Sequence, residues 1–232
     1  MAETKVLTRG EAATVAGKEQ EKGGFWVGAR DVLLGMVLGI AITLVLNGAF
    51  TWLHTLVPAA KAPWYTVRSA GLVAYGLLWL SMVWGLLLST RWLKRESQAL
   101  TAVHEFLSLL SVVFVTLHAT TLYFDSYLQP EWWRIWTPFA LTSYRPVGTG
   151  VGQVAFYLMV AVTFSFYLRK RIGAKRWRTL HYFTFITYGL ALVHAVVAGT
   201  DTGWTWARTM YLGSAGVVLF LTYARILARP KN

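Results

Sequence analysis

TAVHEFLSLLSVVFVTLHATTLY, residues Thr101 to Tyr123, is a predominantly apolar run of 23 residues with a histidine toward each end. As a helix it reaches about 34 Å, enough to cross the roughly 30 Å hydrocarbon core of a bilayer. Working outward, five further stretches have comparable length and character: Val32 to Leu53, Ser69 to Ser89, Thr149 to Leu168, Leu180 to Ala198 and Met210 to Ala228. Hydrophobic residues make up 56% of the 232-residue chain and charged ones 14%. The mean hydropathy is +0.47. A chain this apolar is an integral membrane protein. The expected fold is all-α: a polytopic, six-transmembrane-helix bundle over residues 31–232, with a polar tail over residues 1–30. Pro58, Pro63, Pro130, Pro138, Pro146 and Gly173 fall in the short connections.

The cations set the expected orientation. Arg91, Lys94 and Arg95, then Arg169, Lys170, Arg171, Lys175, Arg176 and Arg178, then Arg225, Arg229 and Lys231 share a side with the amino-terminal tail. The opposite side holds only Lys61, Arg68, Arg134, Arg145 and Arg208. By the positive-inside rule both termini are expected in the cytoplasm. The net charge of +12 is accounted for by topology and anionic headgroups, and no nucleic-acid partner is expected. The tail mixes Glu with Lys, lacks an apolar period, and reads as disordered, not as a signal peptide. With no cysteine, disulfides, iron–sulfur ligation and covalent haem attachment are excluded. Trp52, Trp64, Trp132, Trp133, Trp136, Trp204 and Trp206 gather at the outer side, as an interfacial aromatic belt would. The segment Glu131 to Thr137 has the spacing of a short interfacial helix.

Four of the five histidines lie in two of the apolar stretches. An ionisable ring in hydrocarbon is costly without a partner, so it marks a functional site. His104 and His118 are fourteen residues apart on the third stretch, about 21 Å in depth and about 40° in azimuth on an ideal helix. His181 and His194 are thirteen apart on the fifth. Layering by depth pairs His104 with His181 and His118 with His194. One histidine on an apolar face is usually hydrogen-bonded core. Four of them, with matching depths, predict two haems between the third and fifth helices, the irons held axially by these imidazoles. Zinc or a di-iron centre would need ligands within a turn and nearby carboxylates, whereas Glu105 and Asp125 sit near helix ends and suit solvated or capping roles. The spacing of thirteen puts His181 and His194 about 140° apart on an ideal helix. The fifth helix is therefore expected to be overwound locally, with Gly189 as the candidate position, or to meet the two cofactors on different sides. His54 is expected at the interface.

The two-helix histidine pattern resembles the ferric-reductase-like transmembrane domain shared by NADPH oxidases, metalloreductases and the bacterial haem subunit of the periplasmic methionine sulfoxide reductase system. Lys175, Arg176, Trp177, Arg178, Thr179, Leu180 and His181, continuing through Tyr188 to His194, are similar to the second ligand helix of the bacterial members. The likeness covers about Ser69 to Ala228. It implies haem b held noncovalently, His104 and His181 at an inner haem and His118 and His194 at an outer one. It further implies electron relay outward, in a bacterial plasma membrane. Two histidines per iron leave no open axial position, which suits an electron carrier. Only Arg229, Pro230, Lys231 and Asn232 follow the sixth stretch, so no flavin or nicotinamide domain is expected within this sequence, although a bound flavin stays open. A separate cytoplasmic-side electron-donor protein, or quinol, and an outer-side acceptor are the expected partners besides the lipid bilayer.

Arg68, Arg134, Arg145 and Arg208 outside, and Arg91, Arg176 and Arg178 inside, are candidates to pair with haem propionates or with headgroups. Phe114, Phe185 and Tyr188 fall between the ligand layers. The basic loop Arg169 to Arg178 anchors topology or docks an acidic donor. Two other readings stand beside the relay: a quinol-linked cytochrome b subunit, and an accessory structural subunit of a larger membrane complex. The acceptor is open among a ferric chelate, O₂, a periplasmic reductase and a quinone.

Overall fold

The computed structural model describes residues 61–90 and 98–227, together with Gly48 and Trp52. The tail and, apart from those two residues, the stretch Val32 to Leu53 lie outside the described residues, as do His54, Arg91 and residues 228–232. What is described is all-helical: α1 Ala62–Ser89, α2 Gln98–Thr121, α3 Trp132–Trp136, α4 Pro146–Ile172, α5 Ala174–His181, α6 Phe183–Ala198 and α7 Thr205–Leu227. Short 3₁₀ turns occupy Leu122–Phe124 and Thr200–Gly203. Five segments, with α5 and α6 taken together, are long and apolar enough to cross a membrane.

Most helices run past the apolar limits expected from sequence. α1 begins at Ala62 and α4 at Pro146, each with a proline in its first turn, where the missing N–H removes no helical bond and the fixed φ suits the helix. α4 continues through Arg169, Lys170 and Arg171 to Ile172. Much of the basic loop after it is helical as α5. Long cationic side chains keep their charge outside hydrocarbon while their stems cover apolar surface, so charge does not end these helices. The short helix expected there is present as α3, flanked by Glu131 and Thr137.

α5 and α6 meet at Tyr182, which has φ −65° and ψ −19°. Its N–H reaches the carbonyls of both Arg178 and Thr179 at 3.2 Å, and its own carbonyl accepts from Phe185 N–H at 3.2 Å. These i to i+3 bonds tighten the turn immediately after His181. The expected irregularity thus falls at Tyr182, twelve residues before His194, and helix α6 passes through Gly189 without interruption.

α1 packs along α2, α4 along α6, and α7 against α1. Tyr75, Met82 and Leu86 of α1, Tyr188 of α6, and Ala207, Tyr211, Val218 and Leu221 of α7 form the buried core. At mid-depth Tyr75 Oη lies 2.5 Å from Ser214 Oγ and 3.3 Å from Tyr188 Oη, so hydroxyls with no access to water satisfy one another. Tyr188, one of three aromatics expected between the layers, stacks on Tyr75 with centroids 6.1 Å apart. Large apolar side chains elsewhere, such as Phe106, Val113, Leu212, Leu219 and Phe220, point outward, as lipid-facing positions do.

The start of α1, the start of α4 and the end of α6 are tied by polar contacts. Arg68 makes a bidentate ion pair with buried Asp201, with Arg68 Nε 3.1 Å from Asp201 Oδ2, and its guanidinium lies 4.1 Å from the Trp64 ring centroid. Arg145 donates to the carbonyls of Val197 at 2.6 Å and Gly199 at 3.3 Å, and Tyr144 Oη to that of Ala198 at 2.9 Å. These donors satisfy carbonyls left open at the end of α6 and fix the start of α4 against it. Asp201→Ala would leave the partly exposed Arg68 without its partner. Scaling down the cost of breaking a fully buried pair gives about 2 kcal/mol, to be read as a lower thermal midpoint in detergent, with Asp201→Glu intermediate.

Candidate functional site

α2 and the α5–α6 segment bring the four histidines together in two pairs. The His104 and His181 ring centroids are 6.1 Å apart with planes at 79°, and the His118 and His194 centroids are also 6.1 Å apart, at 79°. No hydrogen bond joins the rings within either pair among the described residues. Two metal–imidazole bonds of about 2 Å, with about 1.1 Å from nitrogen to ring centre on each side, would separate centroids by about 6.2 Å. The spacing at both pairs therefore suits one axially ligated metal between two imidazoles. Among the described residues there is no group of three or more His, Asp and Glu able to cage a metal ion. The donor sets are pairs, which suit a metal whose remaining ligands come from a macrocycle.

Three of the rings are oriented by backbone carbonyls. His104 Nδ1 lies 3.0 Å from Ser81 O, His118 Nδ1 2.7 Å from Val67 O, and His194 Nδ1 2.9 Å from Gly148 O. A carbonyl can only accept, so Nδ1 carries the proton and Nε2 is the nitrogen with a free lone pair. Outer partners of this kind fix the tautomer and ring orientation of metal-binding histidines. Ser108 extends the inner arrangement, donating to His104 O at 2.8 Å and meeting Ser81 Oγ at 2.7 Å.

In each case the residue four positions after the acceptor is a glycine. Gly85 follows Ser81, Gly71 follows Val67, and Gly152 follows Gly148. A helical carbonyl points along the axis toward residue i+4, whose Cβ would flank it. A Cβ on Gly152 would come within 2.3 Å of His194 Nδ1, one on Gly71 within 2.8 Å of His118 Nδ1, and one on Gly85 within 3.1 Å of His104 Cε1. The absent side chains are what let the imidazoles reach the carbonyls. None of these glycines stood out as a site residue in the sequence, yet a signal was there: Gly71 and Gly85 repeat the fourteen-residue spacing of His118 and His104 on the antiparallel neighbour.

His181 is held differently. No hydrogen bond reaches its ring among the described residues; it stacks on Trp177, one helical turn earlier, with centroids 5.1 Å apart and planes at 23°. Phe166 of α4 packs against Trp177, with ring centroids 6.1 Å apart.

A cavity of about 410 Å³ opens beside the His118 and His194 pair, lined by these two rings, Gly71, Gly152, Tyr75 and Trp136 among others. Its volume is in the range of small-molecule and cofactor sites. The Trp136 indole N–H in its wall is buried and has no partner among the described residues. The outer arginines proposed for propionates already have protein partners: Arg68 has Asp201, Arg134 has Glu131, Arg145 has the α6 carbonyls, and Arg208 has Thr202 O. Arg176 and Arg178 are exposed on α5. Glu105 accepts from Tyr167 Oη at 2.7 Å at an exposed position, and Asp125 caps a turn by accepting from Tyr127 and Leu128 N–H.

Gly152→Ala should destabilise most, by about 1–3 kcal/mol, followed by Gly71→Ala and then Gly85→Ala. Gly213, whose Cβ would meet nothing within 4 Å, is the control, and its alanine variant should be neutral or slightly more stable. Thermal unfolding of the purified variants reads the order directly.

A family described as a domain of unknown function (DUF8596) matches residues 62–201, a span that contains all four paired histidines and the three glycines. No curated protein and no solved structure matches the chain.

Proposed function

The chain belongs to the DUF8596 family, and we propose that it is a di-haem b-type membrane cytochrome relaying electrons from a separate cytoplasmic-side donor to an outer-side acceptor. The reading includes a ferric-reductase-like, six-helix arrangement with both termini cytoplasmic, in a bacterial inner membrane. The observation that carries it is the equal 6.1 Å separation of the two histidine pairs, His104 with His181 and His118 with His194.

Bound at these pairs, haem b would supply a one-electron carrier near each face of the membrane. The chain's own contribution is to hold and orient. Ser81, Val67 and Gly148 fix the Nδ1 protons through their carbonyls, so that Nε2 of His104, His118 and His194 is presented unprotonated. Donation from Nδ1–H to a carbonyl also makes the imidazole a stronger electron-pair donor. Were a haem held by both imidazoles of a pair, His104 with His181 or His118 with His194, it would serve as an electron carrier with no place left for an exogenous ligand such as O₂. The Trp136 N–H and the cavity beside His118 and His194 suit an acceptor-bearing, largely apolar molecule, as a haem with its carboxylates is.

The test is a pyridine haemochrome assay with reduced-minus-oxidised spectra on purified protein. About two b haems per chain are expected, with one lost in His118→Ala and one in His181→Ala, while the helical circular dichroism is retained. The ring planes at 79° add a second readout: the oxidised protein should give the strongly anisotropic low-spin resonance that near-perpendicular axial imidazoles produce. Folded protein from haem-replete cells with no haem would refute the reading.

A further inference from the structure

His181, of the pair with His104, touches a side chain that leads on to the protein surface. Arg169 lies over one side of the arrangement, its guanidinium carbon 4.9 Å from the Trp177 ring centroid, and Trp177 in turn stacks on His181. Arg169 is exposed and Trp177 half-buried. A cation, an indole and an imidazole thus form one column from the surface to a ring of the inner pair, with no gap between successive members wide enough for another group.

The surface around this column is strongly basic. Lys170 and Arg171 at the end of α4, and Lys175, Arg176 and Arg178 on α5, are all exposed, and none makes an ion pair among the described residues. Headgroup anchoring alone accounts for cations at a helix end. It does not account for an aromatic ring among them that is in face-to-face contact with a histidine of the site. Nor does it account for the loss, at His181 alone, of the carbonyl and glycine arrangement that the other three rings share.

Resting on the di-haem reading, we infer that the Arg169, Trp177 and His181 column is the electron inlet, and that the basic face around it docks a small redox protein with an acidic rim. In the transfer, one electron leaves a reduced flavin in the docked donor and arrives at the iron held by His104 and His181, which passes from ferric to ferrous. The donor flavin is oxidised by one electron, and any proton it releases goes to solvent. Trp177 carries no net charge through the step; its stacked ring shortens the through-space portion of the path. The cations of α5 supply encounter rate and orientation, and so act where salt screens them.

The experiment uses the full chain, haem-loaded, in nanodiscs of neutral lipid, with fully reduced flavodoxin, an acidic flavoprotein, as the probe and dithionite as a reductant that needs no docking. Haem content is measured first, which separates failure of the cofactor reading from failure of this one; wild-type protein without two haems removes both. Stopped-flow reduction by flavodoxin should slow at least tenfold when salt is raised from low to near-molar concentration. It should slow comparably in the Lys175→Gln, Arg176→Gln, Arg178→Gln triple variant, whose remaining rate should lose most of its salt dependence. Trp177→Leu should lower the limiting rate at saturating flavodoxin with little change in the concentration giving half-maximal rate. Trp177→Phe, which keeps a stacked ring, should recover most of that rate and guards against a folding defect in the leucine variant. Dithionite reduction should be unchanged throughout. The inference is overturned if flavodoxin does not reduce the wild type, or if the triple variant with normal haem content is reduced as fast as wild type. It is equally overturned if the triple variant loses only binding to vesicles of anionic lipid.

Discussion

An imidazole N–H in hydrocarbon must find an acceptor, and the acceptors this chain offers are helix carbonyls that already serve their own helix. Each carbonyl oxygen has a second lone pair, but reaching it from a neighbouring helix requires that the two backbones come close. His118 donates to Val67 O, His104 to Ser81 O and His194 to Gly148 O, and each bond demands a glycine one turn beyond the acceptor. The close packing of α1 on α2 and of α4 on α6 follows from this. Because apolar side chains gain little by leaving lipid for a protein interior, specific polar contacts and close backbone approach are what select one helix arrangement over another. The same bonds decide which nitrogen of each ring is free to bind.

Among the described residues, the half of the structure that holds His118 and His194 is braced more fully than the half that holds His104 and His181. Arg68 with Asp201, and Arg145 and Tyr144 with the last carbonyls of α6, tie α1 and α4 to the segment that carries His194. His118 and His194 are both anchored through Nδ1. In the other pair His104 is anchored through Ser81, with Ser108 behind it, but His181 rests on the flat face of Trp177. A stronger hydrogen bond at Nδ1 makes an imidazole a better donor and favours the higher oxidation state of a metal. The two sites are therefore not equivalent, although their ring spacing and angle are the same.

The histidine layers were legible from spacing and depth alone, because helical rise converts residue number into depth with little freedom. The helix limits were less so. Composition marks where hydrocarbon ends, but Pro63 and Pro146 start helices outside it and α5 continues among cations. The difficulty over the thirteen-residue spacing was visible in the sequence, while its location was not: a glycine invites attention, yet Gly189 is regular and the tightened turn falls at Tyr182, where no residue type signals it. The carbonyl acceptors could not be read because the backbone is the same at every position. Their glycines could have been found by looking for the histidine spacing on other stretches. Asp201 was overlooked because it lies in a connection, and only the fold carries it back to Arg68.

The spacing of fourteen that recurs in His104 and His118, in Ser81 and Val67, and in Gly85 and Gly71 is two heptads. A straight helix drifts by about 20° per heptad, so contacts repeated at that interval keep facing each other only if α1 and α2 wind about one another with a left-handed sense. At each layer the histidine acts as a knob and the glycine as the floor of its hole. The register of α1 on α2 is therefore set twice over. A one-residue insertion in either helix between the layers would turn one layer away from its partner by about 100°, whereas the same insertion in the connection between the helices would leave both layers intact.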